Sequence, residues 1–108
     1  MIRFKIIDAA DQKFSTVLNR RRVTLRVWYS GFDDRWSIDL SLDGDPVING
    51  RKIVTGVDLL APFNLGIGVL FAMSDKVGVV NPGRSELPEG LVHLYHATEG
   101  EVDAAIPA

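Results

Sequence analysis

The chain reads as an all-β domain, a small antiparallel barrel or sandwich that carries one long apolar loop. Three observations predict it. Apolar and polar residues alternate at period two along most of the chain, turn residues recur between the alternating runs, and no stretch of 11 residues repeats apolar positions at helical spacing. With 10 glycines and 5 prolines distributed over 108 residues, a long helix has nowhere to grow. One domain is expected over residues 1–96, with residues 97–108 as a loose tail.

Ile2, Phe4 and Ile6 alternate with Arg3 and Lys5, so the first strand has one buried face. Residues 8–12 interrupt it. Phe14, Thr16 and Leu18 then face one way, and after Asn19-Arg20-Arg21 the set Val23, Leu25, Val27 and Tyr29 resumes, which is the pattern of a hairpin. Residues 30–34 make a second turn. Beyond it Trp36, Ile38, Leu40 and Leu42 point inward while Arg35, Ser37, Asp39 and Ser41 point outward. Asp43-Gly44-Asp45-Pro46 is a third turn, because glycine accepts positive φ and proline cannot extend a central strand. A three-stranded meander is the expected nucleus. Asn49-Gly50, between Val47-Ile48 and Lys52-Ile53-Val54, predicts a further hairpin with very short strands. Residues 55–68 mix glycine and proline with bulky apolar side chains and read as a long structured loop. Residues 69–73 and 77–80 predict strands, Asn81-Pro82-Gly83 a turn, and residues 91–96 the closing strand. The core is expected to include Phe4, Ile6, Phe14, Leu25, Val27, Trp36, Ile38 and Leu40.

Composition narrows the function. Hydrophobic residues at 46 % and charged residues at 24 % are the balance of a folded globular domain, and a chain this short buries roughly 60–65 % of its extended surface, enough for marginal stability. Twelve Lys and Arg against 14 Asp and Glu give a net charge of -2, so the positive field that draws a protein to phosphate backbones is missing. The absence of cysteine removes disulfides, thiolate nucleophiles and cysteine zinc sites. Residues 59–73 are too short and too interrupted for a membrane helix, which needs ~20 apolar residues. Met1-Ile2-Arg3-Phe4-Lys5 develops no signal-peptide core, so a cytosol-like compartment is expected.

Catalytic and metal chemistry find little support in the residues. Asp33, Asp34, Asp39, Asp43 and Asp45 suggest calcium, but the two aspartate pairs belong to turns at opposite ends of one strand, about 30 Å apart at ~3.3 Å per residue. His93 and His96, three apart on a strand, point to opposite faces and cannot chelate one ion. Ser85 lacks the frame of a nucleophile elbow, and Gly66-Ile67-Gly68 is half a phosphate-binding fingerprint with no helix behind it. Arg20, Arg21, Arg22, Arg26 and Trp28 could form a small nucleic-acid patch, although a solvated hairpin tip explains them as well. The unusual segment is Val57-Asp58-Leu59-Leu60-Ala61-Pro62-Phe63-Asn64-Leu65, more apolar than a connector needs. It is either folded over the core or exposed as a protein-docking patch.

The same residues carry a family likeness. Arg35-Trp36-x-x-Asp39, then Gly44-x-Pro46-Val47-Ile48-x-Gly50, then Val54-x-Gly56-Val57-Asp58-Leu59-Leu60-Ala61-Pro62-Phe63, and Leu91 with Leu94-Tyr95, resemble the small baseplate plug proteins of contractile-tailed bacteriophages, of the cyanophage type. The likeness spans residues 1–96 and is most specific at 54–63. It implies a non-enzymatic structural part of the virion tail baseplate, present in host cytoplasm during assembly and placed near the hub, spike, tail tube or tape-measure protein in several copies around the tail axis. No cofactor, metal, specific nucleic acid or membrane is expected. The residues singled out as an interface are Leu59, Leu60, Pro62 and Phe63 in the loop and Arg20, Arg21 and Trp28 on the hairpin. The alternative is a small β-barrel binding module for nucleic acid or saccharide.

Overall fold

The computed structural model describes residues 1–63, 65–74, 81–98 and 100–101. The strand expected at 77–80 and the tail residues 102–108 lie outside them. Among the described residues the chain forms these strands: β1 (Ile2–Phe4), β2 (Asp11–Leu18), β3 (Arg21–Ser30), β4 (Arg35–Leu42), β5 (Asp45–Lys52), β6 (Val69–Ser74) and β7 (Val92–Ala97). A 3-10 turn, Ala61–Phe63, precedes β6.

β2 and β3 pair antiparallel from Asp11 opposite Trp28 to Leu18 opposite Arg21. Asn19 and Arg20 alone join them, both left-handed at φ 50° and 62°, as in a two-residue type I′ turn whose twist matches its strands. Asp43-Gly44 does the same between β4 and β5, at φ 51° and 91°. The expected three-stranded meander therefore forms the first three strands of a four-stranded one, in the order β2-β3-β4-β5.

The hairpin expected at Asn49-Gly50 does not form. Both residues lie inside β5, where the pairing register with β4 shifts between Ile38 and Leu40. Gly50 takes its positive φ (71°) as part of a bulge, and its N–H donates to Asp39 Oδ1 at 2.6 Å. The physical reason is backbone accounting. One long strand on the β4 ladder finds partners for its amides, whereas two very short strands would leave them unpaired. Val54 and Ile53 fall beyond β5, with the Ile53 N–H donating to Trp36 O at 2.9 Å.

The second sheet has the order β1-β7-β6, antiparallel throughout. Two open sheets face each other, so the fold is sandwich-like and not a closed barrel. Leu25, Val27, Ile38 and Leu40 from the meander share one core with Leu70, Ala72 and Leu94 from the other sheet. Of the expected core residues, Phe14 is only half-buried, because β2 is an edge strand; its ring centroid lies 5.5 Å from that of Phe4. Ile6 is buried although it lies past the end of β1. Gln12, in the stretch expected to be irregular, is buried in β2 and ties the incoming chain by accepting from Ile7 N at 2.9 Å and donating to Ile7 O and Ala9 O at 3.0 Å. After β7, Thr98 and Glu101 bond reciprocally at 3.0 and 3.1 Å, and the Glu101 carboxylate accepts from the Met1 ammonium.

Candidate docking surface

The apolar segment 55–68 has no sheet ladder of its own, so its amides need other acceptors. Asp58 supplies one: its Oδ1 accepts from Leu60 N at 3.0 Å and from Leu70 N at 3.2 Å. The edge of β6 supplies the others, with Gly56 N donating to Ala72 O at 2.8 Å and Leu59 N to Leu70 O at 2.7 Å. Phe63 N closes the 3-10 turn on Leu60 O at 3.0 Å. At the far end Asn19 Nδ2 donates to Gly66 O at 2.8 Å, and buried His96 donates from Nε2 to Ile67 O at 2.5 Å. Gly68 passes so close to β7 that a Cβ there would stand 2.2 Å from Ala97 O, and its φ is +96°.

This pinning gives the segment two sides. Leu59, Leu60 and Ile67 are buried in the core, at 0 %, 3 % and 1 % exposure. Val57 and Phe63 stay outside at 40 % and 38 %. Within the isolated chain Leu59 and Leu60 therefore act from below, holding the position from which Phe63 faces outward; the side chain of Pro62 lies outside the described residues. An apolar surface on a segment tied at both ends is a stiff one, and stiffness lowers the ordering cost of docking.

The hairpin residues form a different surface. Arg20 is exposed at the β2–β3 turn, and Arg21 Nε donates to Asp43 Oδ2 at 2.5 Å. That hydrogen bond holds the Asp43 carboxyl below the usual carboxylate range. On the outer face of the meander Arg26 makes a two-point contact with Asp11, at 2.9 and 2.6 Å, and reaches Asp39 at 3.3 Å. The same bond lowers the Asp11 pKa and raises that of Arg26. Trp28 is half-buried, its indole N–H donates to Asp39 Oδ1 at 3.1 Å, and the Arg26 guanidinium lies 5.6 Å from its ring centroid. Arg21, Arg26 and Trp28 are thus engaged with aspartates of the same sheet, while Asp33 is paired with Lys52 and lowered by it. Of the acidic residues that suggested calcium, Asp33, Asp34, Asp39 and Asp43 sit one by one against basic or hydroxyl partners, and no group of three metal-ligating side chains converges among the described residues.

Two features escaped sequence reading. Phe32, in the β3–β4 turn, is fully exposed. The outer face of the β1-β7-β6 sheet is aromatic: Phe71 stacks on Tyr95 at 5.5 Å, His93 meets Tyr95 edge-on at 6.0 Å, and Met73 opposite His93 is exposed. The continuous apolar run Val69-Leu70-Phe71-Ala72-Met73 was the signal for the second, since a strand with one polar face would alternate. Phe32 had no signal, because an aromatic in a turn reads the same whether it folds back or stands out.

Compared with known families, residues 1–99 match the one described as "Cyanophage baseplate Pam3 plug gp18". No curated protein matches the chain.

Proposed function

The chain belongs to the cyanophage baseplate plug family, and we propose that it is a non-enzymatic structural part at the centre of a phage tail baseplate, docked on hub, spike or tube proteins in several copies around the tail axis. The family match over residues 1–99 carries this reading. Physical chemistry supports it: the segment at 55–68 is pinned by Asp58 and presents Val57 and Phe63, an arrangement suited to lasting contact with a neighbouring protein. The β domain in this reading runs through Ala97, the buried last residue of β7, one residue past the expected boundary of 96. The nucleic-acid or saccharide alternative loses ground because Arg21, Arg26 and the Trp28 indole N–H are occupied by aspartates of the same sheet.

Mass spectrometry of purified tails, followed by cryo-electron microscopy of the baseplate, tests the proposal. Density for the chain at the tail axis is expected, with the 55–68 segment against another subunit. Virions that contain none of the chain, or hold it away from the baseplate, would overturn it.

A further inference from the structure

We infer that the outer face of the β1-β7-β6 sheet is a second docking surface, and that its partner is a different protein of the baseplate, one that presents apolar side chains flanked by carboxylates. The inference rests on the baseplate reading for where that partner is found. The two sheets of this sandwich treat their outer faces differently. The meander turns Lys13, Ser15, Thr24, Arg26 and Ser41 outward, as an antiparallel sheet with one wet face does. The other sheet turns Val69, Phe71 and Met73 of β6 and Tyr95 of β7 outward, while Leu70, Ala72, Val92 and Leu94 between them enter the core. Its outer face is apolar where water would favour polar groups. Phe71 and Tyr95 stack side by side, and Met73 is exposed. The face also borders the 55–68 segment, whose Gly56 and Leu59 amides bond to the edge of β6, so the two surfaces meet along that edge.

The charge on this face has one sign. No aspartate or glutamate occurs in β1, β6 or β7, and exposed Arg3 lies opposite Tyr95, which lies opposite Phe71. Lys5, also exposed, follows β1 and lines one hollow with Arg3 and His93. Neither cation takes part in an ion pair among the described residues. Cations on a short edge strand also discourage edge-to-edge pairing, but that leaves the aromatic residues behind them unexplained. Apolar area bordered by uncompensated cations fits a surface whose apolar side chains are bordered by carboxylates, because opposite potentials across an interface fix its register and reject wrong partners. A second copy is a poor source of those carboxylates: Asp8, Asp11, Asp33, Asp39, Asp43 and Glu101 each already meet a cation of their own copy. A nucleic-acid strand fits no better, since two cations on a chain of net charge -2 neutralise few phosphates.

Carbodiimide coupling in purified tails tests the inference, because the reagent joins a lysine amine to a carboxylate that it touches. Lys52 and Asp33 of the chain itself are the internal control for the reaction. Mass spectrometry is expected to find Lys5 joined to an aspartate or glutamate of another baseplate protein, and Lys5→Arg should remove that link while the chain is still incorporated. Arg3→Glu/Lys5→Glu should lower the amount of chain per tail at least about tenfold, whereas Lys13→Glu/Arg22→Glu, the same charge change on the meander, should not. All three variants should melt as the native chain does, since the four side chains are exposed. A Lys5 linked only within its own copy or to a second copy, equal losses from the two double variants, or full incorporation of Arg3→Glu/Lys5→Glu would each overturn the inference. Retention of the isolated chain on single-stranded DNA at physiological salt, abolished by Arg3→Glu/Lys5→Glu, would assign the face to nucleic acid and overturn it too. Tails that lack the native chain would remove the baseplate reading and this inference together; tails that hold the chain and show the Lys52 control without a Lys5 link would remove this inference alone.

Discussion

Leu40 and Leu59 are equally buried, at 1 % and 0 % exposure, yet they reach the core by different routes. Leu40 sits in β4, whose backbone is paired on one side with β3 and on the other with β5. Leu59 sits in a segment without a ladder, where Asp58 and the edge of β6 take up the amides. A single carboxylate and one exposed strand edge can stand in for a missing neighbour strand. The substitution has a consequence for function. A central strand turns its other face to the polar surface of its own sheet, whereas the irregular segment can bury Leu59, Leu60 and Ile67 and still offer Val57 and Phe63 to another protein.

The sharpest test of this equivalence is to remove the two leucines. Leu40→Ala and Leu59→Ala should each cost about 2–5 kcal/mol in urea unfolding, since both leave a cavity in one shared core. A Leu59→Ala variant as stable as the native chain would show that the segment merely covers the core.

Glycine separates the regions next. Gly44 and Gly68 have similar φ, 91° and 96°, but a Cβ meets nothing within 4 Å at the first and stands 2.2 Å from Ala97 O at the second. Gly44→Ala should cost about 1–2 kcal/mol for left-handed backbone alone. Gly68→Ala should cost clearly more, and equal losses would refute the close approach to β7. Between these in rank stands Asp58→Ala, which strips the acceptor from two amides and should cost about 1–3 kcal/mol. Removal of Asp11 from the exposed face of the meander should be barely measurable by the same method.

Acid should act through the paired carboxylates Asp11, Asp33, Asp43 and Glu101. Hydrogen bonds from Arg26, Lys52 and Arg21 lower the pKa values of Asp11, Asp33 and Asp43, and the N-terminal ammonium holds Glu101 at about 2. A lowered folded-state pKa contributes stability that is present above the unfolded value, roughly 3.9 for Asp and 4.3 for Glu, and is lost as pH falls through the folded one. The urea midpoint should therefore be flat near neutrality and decline below about pH 4. A midpoint that rises between pH 4 and pH 2.5, a setting chosen to lie above the Glu101 value of about 2, would contradict the lowered pKa values of the three aspartates.

Phe63→Asp should have a small effect on the isolated domain, with melting close to that of the native chain, because the side chain already stands partly in water. Its effect should appear in assembly, as loss of the chain from purified baseplates. Normal melting with normal incorporation would remove this segment as a docking surface.

Much of the meander was legible in the sequence. The alternation of Trp36, Ile38, Leu40 and Leu42 with polar residues fixes which side chains face inward, whatever the strand pairs with. The turn around Asn19–Arg21 was legible because it lies between two alternating runs, and the one at 43–46 because of its glycine and proline; the structure narrows them to Asn19-Arg20 and Asp43-Gly44. Asn49-Gly50 carried the same local signal and was misread. Its positive φ serves a bulge, since the choice between turn and bulge depends on whether a partner strand runs alongside. Of the candidate docking surface, the sequence marked the region 54–63 but not its orientation.

Period two and turn chemistry are local properties, and they were enough to determine that the chain is all-β, where β2, β3 and β4 reverse and which residues of β4 carry the core. Strand order, the open sandwich in place of a barrel, and the division of 55–68 into an inward and an outward side were decided by tertiary structure alone. Each depends on partners far away in sequence: β1 beside β7, Asp58 bonding Leu70, and Ala97 O against Gly68. The full exposure of Phe32 belongs with them, because whether a turn residue folds back or stands free is settled by what the rest of the chain leaves unfilled beside it.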